Sequence, residues 1–200
     1  MKKISYLIPL ILIFILSCAK APKKGAQILP KVDNVFNAPF SQTWSATLEE
    51  LKWMKWIPAF TDEKEGVIRL KEAYVYKRSG NLIRTYHWPY NEAKQSGIDD
   101  YLEKVAYYDD NIFDFDKVIF SQENMGINVV SLSKSQTKVE INYKIKPYLR
   151  SGKFGNQVRS KGYIESLLLQ RVRENLKGKP VSSGDSSQVY GEVFNKRQIR

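Results

Sequence analysis

Between Thr137 and Tyr148 the chain alternates without a break: Val139, Ile141, Tyr143 and Ile145 face one way, while Lys138, Glu140, Asn142, Lys144 and Lys146 face the other. A period of two with one polar side specifies a half-buried strand in an antiparallel sheet, because a parallel sheet buries both faces and loses the alternation. Ile127 to Ser133 supplies its partner through the polar turn Lys134-Ser135-Gln136. Pro147, which cannot donate to a ladder, is expected to close the second strand.

A sheet with one apolar face must be covered. Pro39 to Met54 places Phe40, Trp44, Leu48 and Leu51 on one helical face, and Ser160 to Leu176 places Ile164, Leu167, Leu168, Val172 and Leu176 on another. Pro39 suits a first helical turn, and Gly178 suits a C-terminal stop. Ile57 to Thr61 and Val67 to Tyr76, joined by the polar turn at 62–66, read as a hairpin, and Lys31 to Asn37 reads as a first strand. The predicted class is α+β: a two-layer antiparallel sheet with two amphipathic helices packed on one face. It forms a single domain over 31–177, with an irregular middle and no disulfide to hold it, since Cys18 is the only cysteine.

Cys18 has another use. Lys2 and Lys3 precede an uncharged apolar run from Ile4 to Ser17, shorter than the roughly 20 residues of a comfortable membrane span and suited to an export signal. Ile15-Leu16-Ser17-Cys18 resembles the lipobox of bacterial lipoproteins. The resemblance implies cleavage of residues 1–17 and lipidation of Cys18, by diacylglycerol and palmitate-type acyl chains. Residues 18–30, with Lys20, Lys23 and Lys24, read as a flexible basic tether beside the headgroups, and 178–200, with its Ser-Gly-rich stretch, as a mobile basic tail. Ala19, in place of an inner-membrane retention aspartate, points to the outer membrane and its periplasmic side.

The run Val35 to Phe40, then Trp44, Leu48 and Leu51, Gly66-Val67-Ile68, Thr137-Lys138-Val139 and Gly162 to Glu165 with Leu167-Leu168 resembles the BamC-type envelope lipoproteins. This resemblance implies a helix-grip domain, in which a final helix packs across an antiparallel sheet, and a non-enzymatic accessory role, for example in outer-membrane assembly. One such domain fits here where BamC has two, and Ser79 to Asp116 has no counterpart.

The residues themselves offer little chemistry. His87 is the only histidine, no phosphate loop, nucleophile elbow or metalloprotease pair is present, and the acids Asp109, Asp110, Asp114 and Asp116 lack EF-hand spacing. The expectation is therefore a protein that is not an enzyme and has no cofactor and no metal. Charge says more. Net charge is +11, and from Lys144 to Lys161 the cations Lys144, Lys146, Arg150, Lys153, Arg159 and Lys161 run with no intervening acid, interleaved with Tyr148 and Phe154. In an exported protein such a stretch suits anionic lipid or an acidic envelope partner rather than nucleic acid. Two functions remain open: an anchored scaffold that docks an envelope protein, or a module whose helix and curved sheet hold a lipid or other apolar ligand.

Overall fold

The computed structural model describes residues 33–93, 97–107 and 118–178. Along them run β1 (Val35–Phe36), α1 (Phe40–Trp53), β2 (Pro58–Asp62), β3 (Val67–Leu70), β4 (Ala73–Arg78), β5 (Asn81–Thr85) and α2 (Tyr90–Ala93). There follow α3 (Asp99–Val105), β6 (Ala106–Tyr107), β7 (Val118–Ser133), β8 (Gln136–Leu149), β9 (Val158–Ser160) and α4 (Tyr163–Leu176). The fold is α+β, with these nine strands in one sheet and every pairing antiparallel. Cys18, the tether, the acidic cluster at 109–116 and the tail after Gly178 lie outside the described residues. Among those described, no helix is long and apolar enough to cross a membrane.

The alternating strand is the spine. β8 pairs with β7 from Val118↔Leu149 to Ser133↔Gln136 across the two-residue turn Lys134-Ser135. β7 starts at Val118 rather than Ile127 because both of its faces are covered at that end. Val118, Ile119, Phe120 and Ser121 are all buried, so the alternation that marks a half-exposed strand disappears. Pro147 does not close β8, which runs on to Leu149 with Pro147 opposite Ser121. Val139 N–H turns away from β7 to Asn34 O at 2.9 Å. By alternation the Pro147 nitrogen faces the same outer edge, and the β7 ladder loses no donor there.

On its other edge β7 meets β3 at residues 126–128 and β4 at residues 120–123, so the expected strand Val67 to Tyr76 is two strands parted at Lys71-Glu72. β2 extends β3 and β5 extends β4. The β4–β5 turn, Ser79-Gly80, has φ of 51° and 81°, the two positive values of a type I′ hairpin turn. The outer edge of β8 takes β1 at 137–138 and β9 at 144–145, with β6 beyond β9.

Odd-numbered residues of the spine, Met125, Ile127, Val129, Val139, Tyr143 and Ile145, share one core with Trp44, Leu51 and Met54 from α1 and its C-cap and with Ile164, Leu168 and Val172 from α4. Tyr101, Leu102 and Val105 of α3 join it. Each fully buried Leu, Ile or Val there contributes roughly 1.5–3 kcal/mol. The buried stripe of α1 is Thr43, Trp44, Ala46, Thr47, Glu50 and Leu51, turned from the expected face because α1 packs on α4 as well as on the sheet. The helix ends with Trp56 N–H on Leu51 O and Lys55 N–H on Lys52 O, a Schellman arrangement with Lys55 at φ 59°. α4 closes as expected, with Gly178 at φ 64°.

Gly66 is where local and global structure meet. Its φ is +67°, its carbonyl accepts Val129 N–H at 2.7 Å, and a Cβ built on it would lie 2.0 Å from Val129 O. The β2–β3 hairpin therefore reaches the central strand only through a residue without a side chain. Gly66→Ala is expected to destabilise by about 2–3 kcal/mol, from the left-handed backbone and the clash together. Thermal unfolding checks it, with a Tm fall of roughly 5–10 °C.

Candidate functional site

Even-numbered spine residues point away from the α1–α4 core. Lys144 and Lys146 of β8 lie on this side, and Arg159 of β9 is the cross-strand partner of Lys144. Arg150 and Lys153 are exposed in the loop that follows β8. Arg69 of β3, which the sequence pattern does not single out, joins them. It packs over Gly126 and its Nη1 donates to Asn128 Oδ1 at 3.2 Å. Among the described residues, none of Lys144, Lys146, Arg150, Lys153 and Arg159 forms an ion pair; the cations that do are Lys77, Arg84, Lys138 and Arg171. Lys161 is placed differently. Its Nζ donates to the carbonyl of Glu103 at the end of α3, and burial holds its pKa below the ordinary lysine value. It joins α3 to β9, and its Nζ lies 5.8 Å from the Tyr107 ring that Arg159 also approaches.

An aromatic cluster stands at one end of the same side. Phe120 and Tyr148, opposite each other in register, stack at 4.4 Å. Trp88 sits edge-on to both, at 5.0 and 5.1 Å, and also meets Tyr74 at 5.5 Å and Phe154 at 5.9 Å. Trp88 still keeps 46% of its surface exposed. Lys146 Nζ lies 4.9 Å from the Phe154 ring, a cation–π contact that ties the cluster to the cations. At the far edge Arg159 lies 5.9 Å from the ring of Tyr107, itself 47% exposed. The loop after β5 and α2, with Tyr90 and Ala93 in this cluster, and the loop after β8, with Phe154, lie on this side of the sheet. His87, in that loop, is exposed, and its Nδ1 meets Thr85 Oγ1 at 2.6 Å.

Where β8 has neither β1 nor β9 beside it, a cleft of about 620 Å³ opens, lined by Glu140, Asn142, Lys144, Arg159, Ser160 and Glu165 among others. Burial raises the Glu165 carboxyl above its ordinary pKa, while Ser160 Oγ donates to it at 2.9 Å. The same hydroxyl accepts Gly162 N–H at 3.0 Å, so this pair organises the start of α4.

Beneath the sheet lies a polar cluster that sequence patterning does not reveal. Arg84 Nη2 is 3.4 Å from Glu123 Oε2, Ser121 Oγ donates to Glu123 Oε1 at 3.2 Å, and Tyr101 OH donates to the same oxygen. Tyr143 OH is 3.3 Å from Tyr101 OH, and the Arg84 guanidinium rests 4.0 Å over the Trp56 ring. Burial foremost, with the Glu123 charge adding, holds both phenols well above the ordinary tyrosine pKa. The cluster is a clamp: it joins β4–β5, β7, β8 and α3 through partners that are all buried.

What the uncovered side can do is bind. It offers an array of cations of which Lys144, Lys146 and Arg159 form no ion pair among the described residues, with exposed aromatic rings at its ends, and it suits a negatively charged, extended surface. Comparison with protein-family models, curated proteins and solved structures finds no match for this chain.

Proposed function

We propose that this is a lipid-anchored, non-enzymatic interaction module of the bacterial envelope, held at its membrane by acylated Cys18 and docking an anionic envelope component through the cationic side of its sheet. In this reading α1 and α4 form the second of two layers in a helix-grip-like domain, and the free side of the sheet is the working surface. An accessory role in outer-membrane assembly fits such a module. The observation that carries the reading is segregation: Lys144, Lys146 and Arg159 share the side opposite the α1–α4 core and have no ion pair among the described residues. A lipid-binding grip between helices and sheet has less support, because that space is filled by Met54, Trp56, Tyr101, Met125 and Tyr143.

Docking is read by amine footprinting in intact envelopes. Lys144 and Lys146 are expected to react several-fold more slowly with a membrane-permeant acylating reagent there than in detergent-solubilised protein, and high salt should remove the protection. Exposed lysines at the ends of the two long helices, Lys52, Lys55 and Lys177, serve as references. Mass spectrometry of the same sample should find the mature chain starting at a diacylglyceryl-modified Cys18. Equal reactivity of Lys144 and Lys146 in the two states, or an unmodified Cys18, overturns the reading.

A further inference from the structure

Building on that docking reading, we propose that the anionic component is the phospholipid surface of the membrane that holds the Cys18 lipid, and that the cationic side of the sheet lies against it. The arrangement of apolar groups carries this. Among the described residues the markedly exposed large hydrophobic side chains are Trp53, Ile57, Phe60, Trp88, Tyr107, Val130 and Leu132. Phe60 lies opposite Arg69 on β2, Tyr107 opposite Arg159 on β6, and Val130 opposite Lys138 near the β7–β8 turn, which places all three on the cationic side. Trp88 stands there through its contacts with Phe120 and Tyr148, and Leu132 is at the tip of the same hairpin.

These groups occupy the margins. β2 and β6 are the two ends of the strand order, Val130 and Leu132 mark one end of the spine, and Trp88 marks the other. The middle is polar and small, with Asn124 opposite Lys144, Gly126 opposite Asn142 and Asn128 opposite Glu140. A specific protein interface has the reverse layout, an apolar centre inside a polar rim. Rings and branched side chains at the perimeter, with lysines and arginines among them, suit insertion at headgroup depth, where aromatic rings sit and long cationic side chains reach phosphates.

The charge fits as well. Arg69, Lys144, Lys146 and Arg159 are spread over β3, β8 and β9, the spacing of an array that meets many separate phosphates rather than one ligand. Acids on this side include Glu140, which pairs with Lys138 at 2.7 Å, Asp62, whose Oδ1 accepts Glu65 N–H at 3.1 Å, and Glu72, whose Oε1 accepts the Tyr74 hydroxyl at 2.6 Å. Among the described residues none of them pairs with Arg69, Lys144, Lys146 or Arg159. The 14 residues between Cys18 and Asp33 can span up to roughly 50 Å, so the anchor leaves either side of the sheet free to meet the leaflet.

The test uses the mature acylated protein in vesicles whose acyl chains carry bromine near the headgroup, which quenches tryptophan emission at that depth. Trp44 and Trp56 are buried, so Trp53 and Trp88 are the informative reporters, and Trp53 belongs to α1, away from the cationic side. In phosphatidylglycerol-containing vesicles, Trp53→Phe protein is expected to be quenched several-fold more strongly than Trp88→Phe protein. Phosphatidylcholine vesicles should abolish most of that difference. So should the changes Lys144→Glu and Arg159→Glu introduced into the Trp53→Phe protein, both at exposed positions outside the buried clusters. Equal quenching of the two tryptophan variants, or equal quenching in anionic and neutral vesicles, overturns the inference. If lysine protection in envelopes survives that result, docking stands with a macromolecular partner; if protection is also absent, the docking reading falls with it.

Discussion

Glu123→Leu is expected to destabilise the fold by about 3–5 kcal/mol, because it leaves the Arg84 guanidinium, whose side chain is 6% exposed, without its carboxylate inside the core. Thermal unfolding should register this as a Tm lower by roughly 10 °C or more. Replacing both partners, Arg84→Met with Glu123→Leu, should recover only part of the loss: no buried charge then remains uncompensated, but the Ser121 and Tyr101 hydroxyls still lose their carboxylate acceptor. The cluster also gives a pH signature with a definite sign. Tyr101 and Tyr143 have folded pKa values raised well above the ordinary tyrosine value, so above about pH 10 the unfolded chain releases protons that the folded chain retains. Their contribution is intact below about pH 10, and above it stability falls by about 1.4 kcal/mol per pH unit for each phenol. Denaturant titrations between about pH 9 and 11 should show this decline, and Tyr101→Phe should show less of it. A stability that is flat across that range would contradict the buried, neutral state of these phenols.

The parts of the fold visible in the sequence are those where one face is wet. β8 and both long helices announce themselves through periodicity because water on one side forces polar residues there. The first half of β7 does not, since Phe120 packs beneath Trp88 while Ser121 and Glu123 enter the core, so both sides are buried and the pattern blurs. Most of β4 falls within the expected strand Val67 to Tyr76, whereas β5, half-buried along most of its length, shows no alternation, although Ser79-Gly80 before it is a readable turn signal. The short elements α2, α3 and β6 have too few residues to display a period. Their positions are fixed by tertiary contacts such as Tyr101 with Glu123 and Ala106 with Ser160, which join residues far apart in sequence.

The site is legible in part. The charge run points to Lys144, Lys146 and Arg159, and the strand period alone places the first two on one side. Sequence order cannot show that Arg69 lies near Asn128, 59 residues away, or that Lys161 turns to the Glu103 carbonyl. Nor can it show that Trp88, Phe120, Tyr148 and Phe154 converge, since they come from a loop, two strands and a second loop. The exposed rings at the margins become a pattern only once β2 and β6 are known to be the outer strands.

The second large effect concerns the joint between the two long helices. Glu50 of α1 and Arg171 of α4 meet at 2.6 Å with side chains 4% and 1% exposed, and Asn175 Nδ2 donates to the other Glu50 oxygen at 3.0 Å. The Arg171 guanidinium also lies over the Trp53 ring at 3.2 Å, so the charge is held by a carboxylate on one side and an aromatic face on the other. Arg171→Ala should cost about 3–5 kcal/mol, because it buries an uncompensated Glu50 and opens space between the helices. Arg171→Lys should fare little better: an ammonium has no planar face to lay on Trp53 while it reaches Glu50. The informative variant is Glu50→Leu with Arg171→Leu. If the pair serves chiefly to set the pairing of α1 with α4, that double variant should regain most of the stability measured by denaturant unfolding. Asn175, which also bonds Glu50, keeps its bond to Glu49 Oε2 at 3.1 Å and is not stranded by the change. A double variant as unstable as Arg171→Ala would instead assign the loss to packing of the arginine stem and Trp53 rather than to charge.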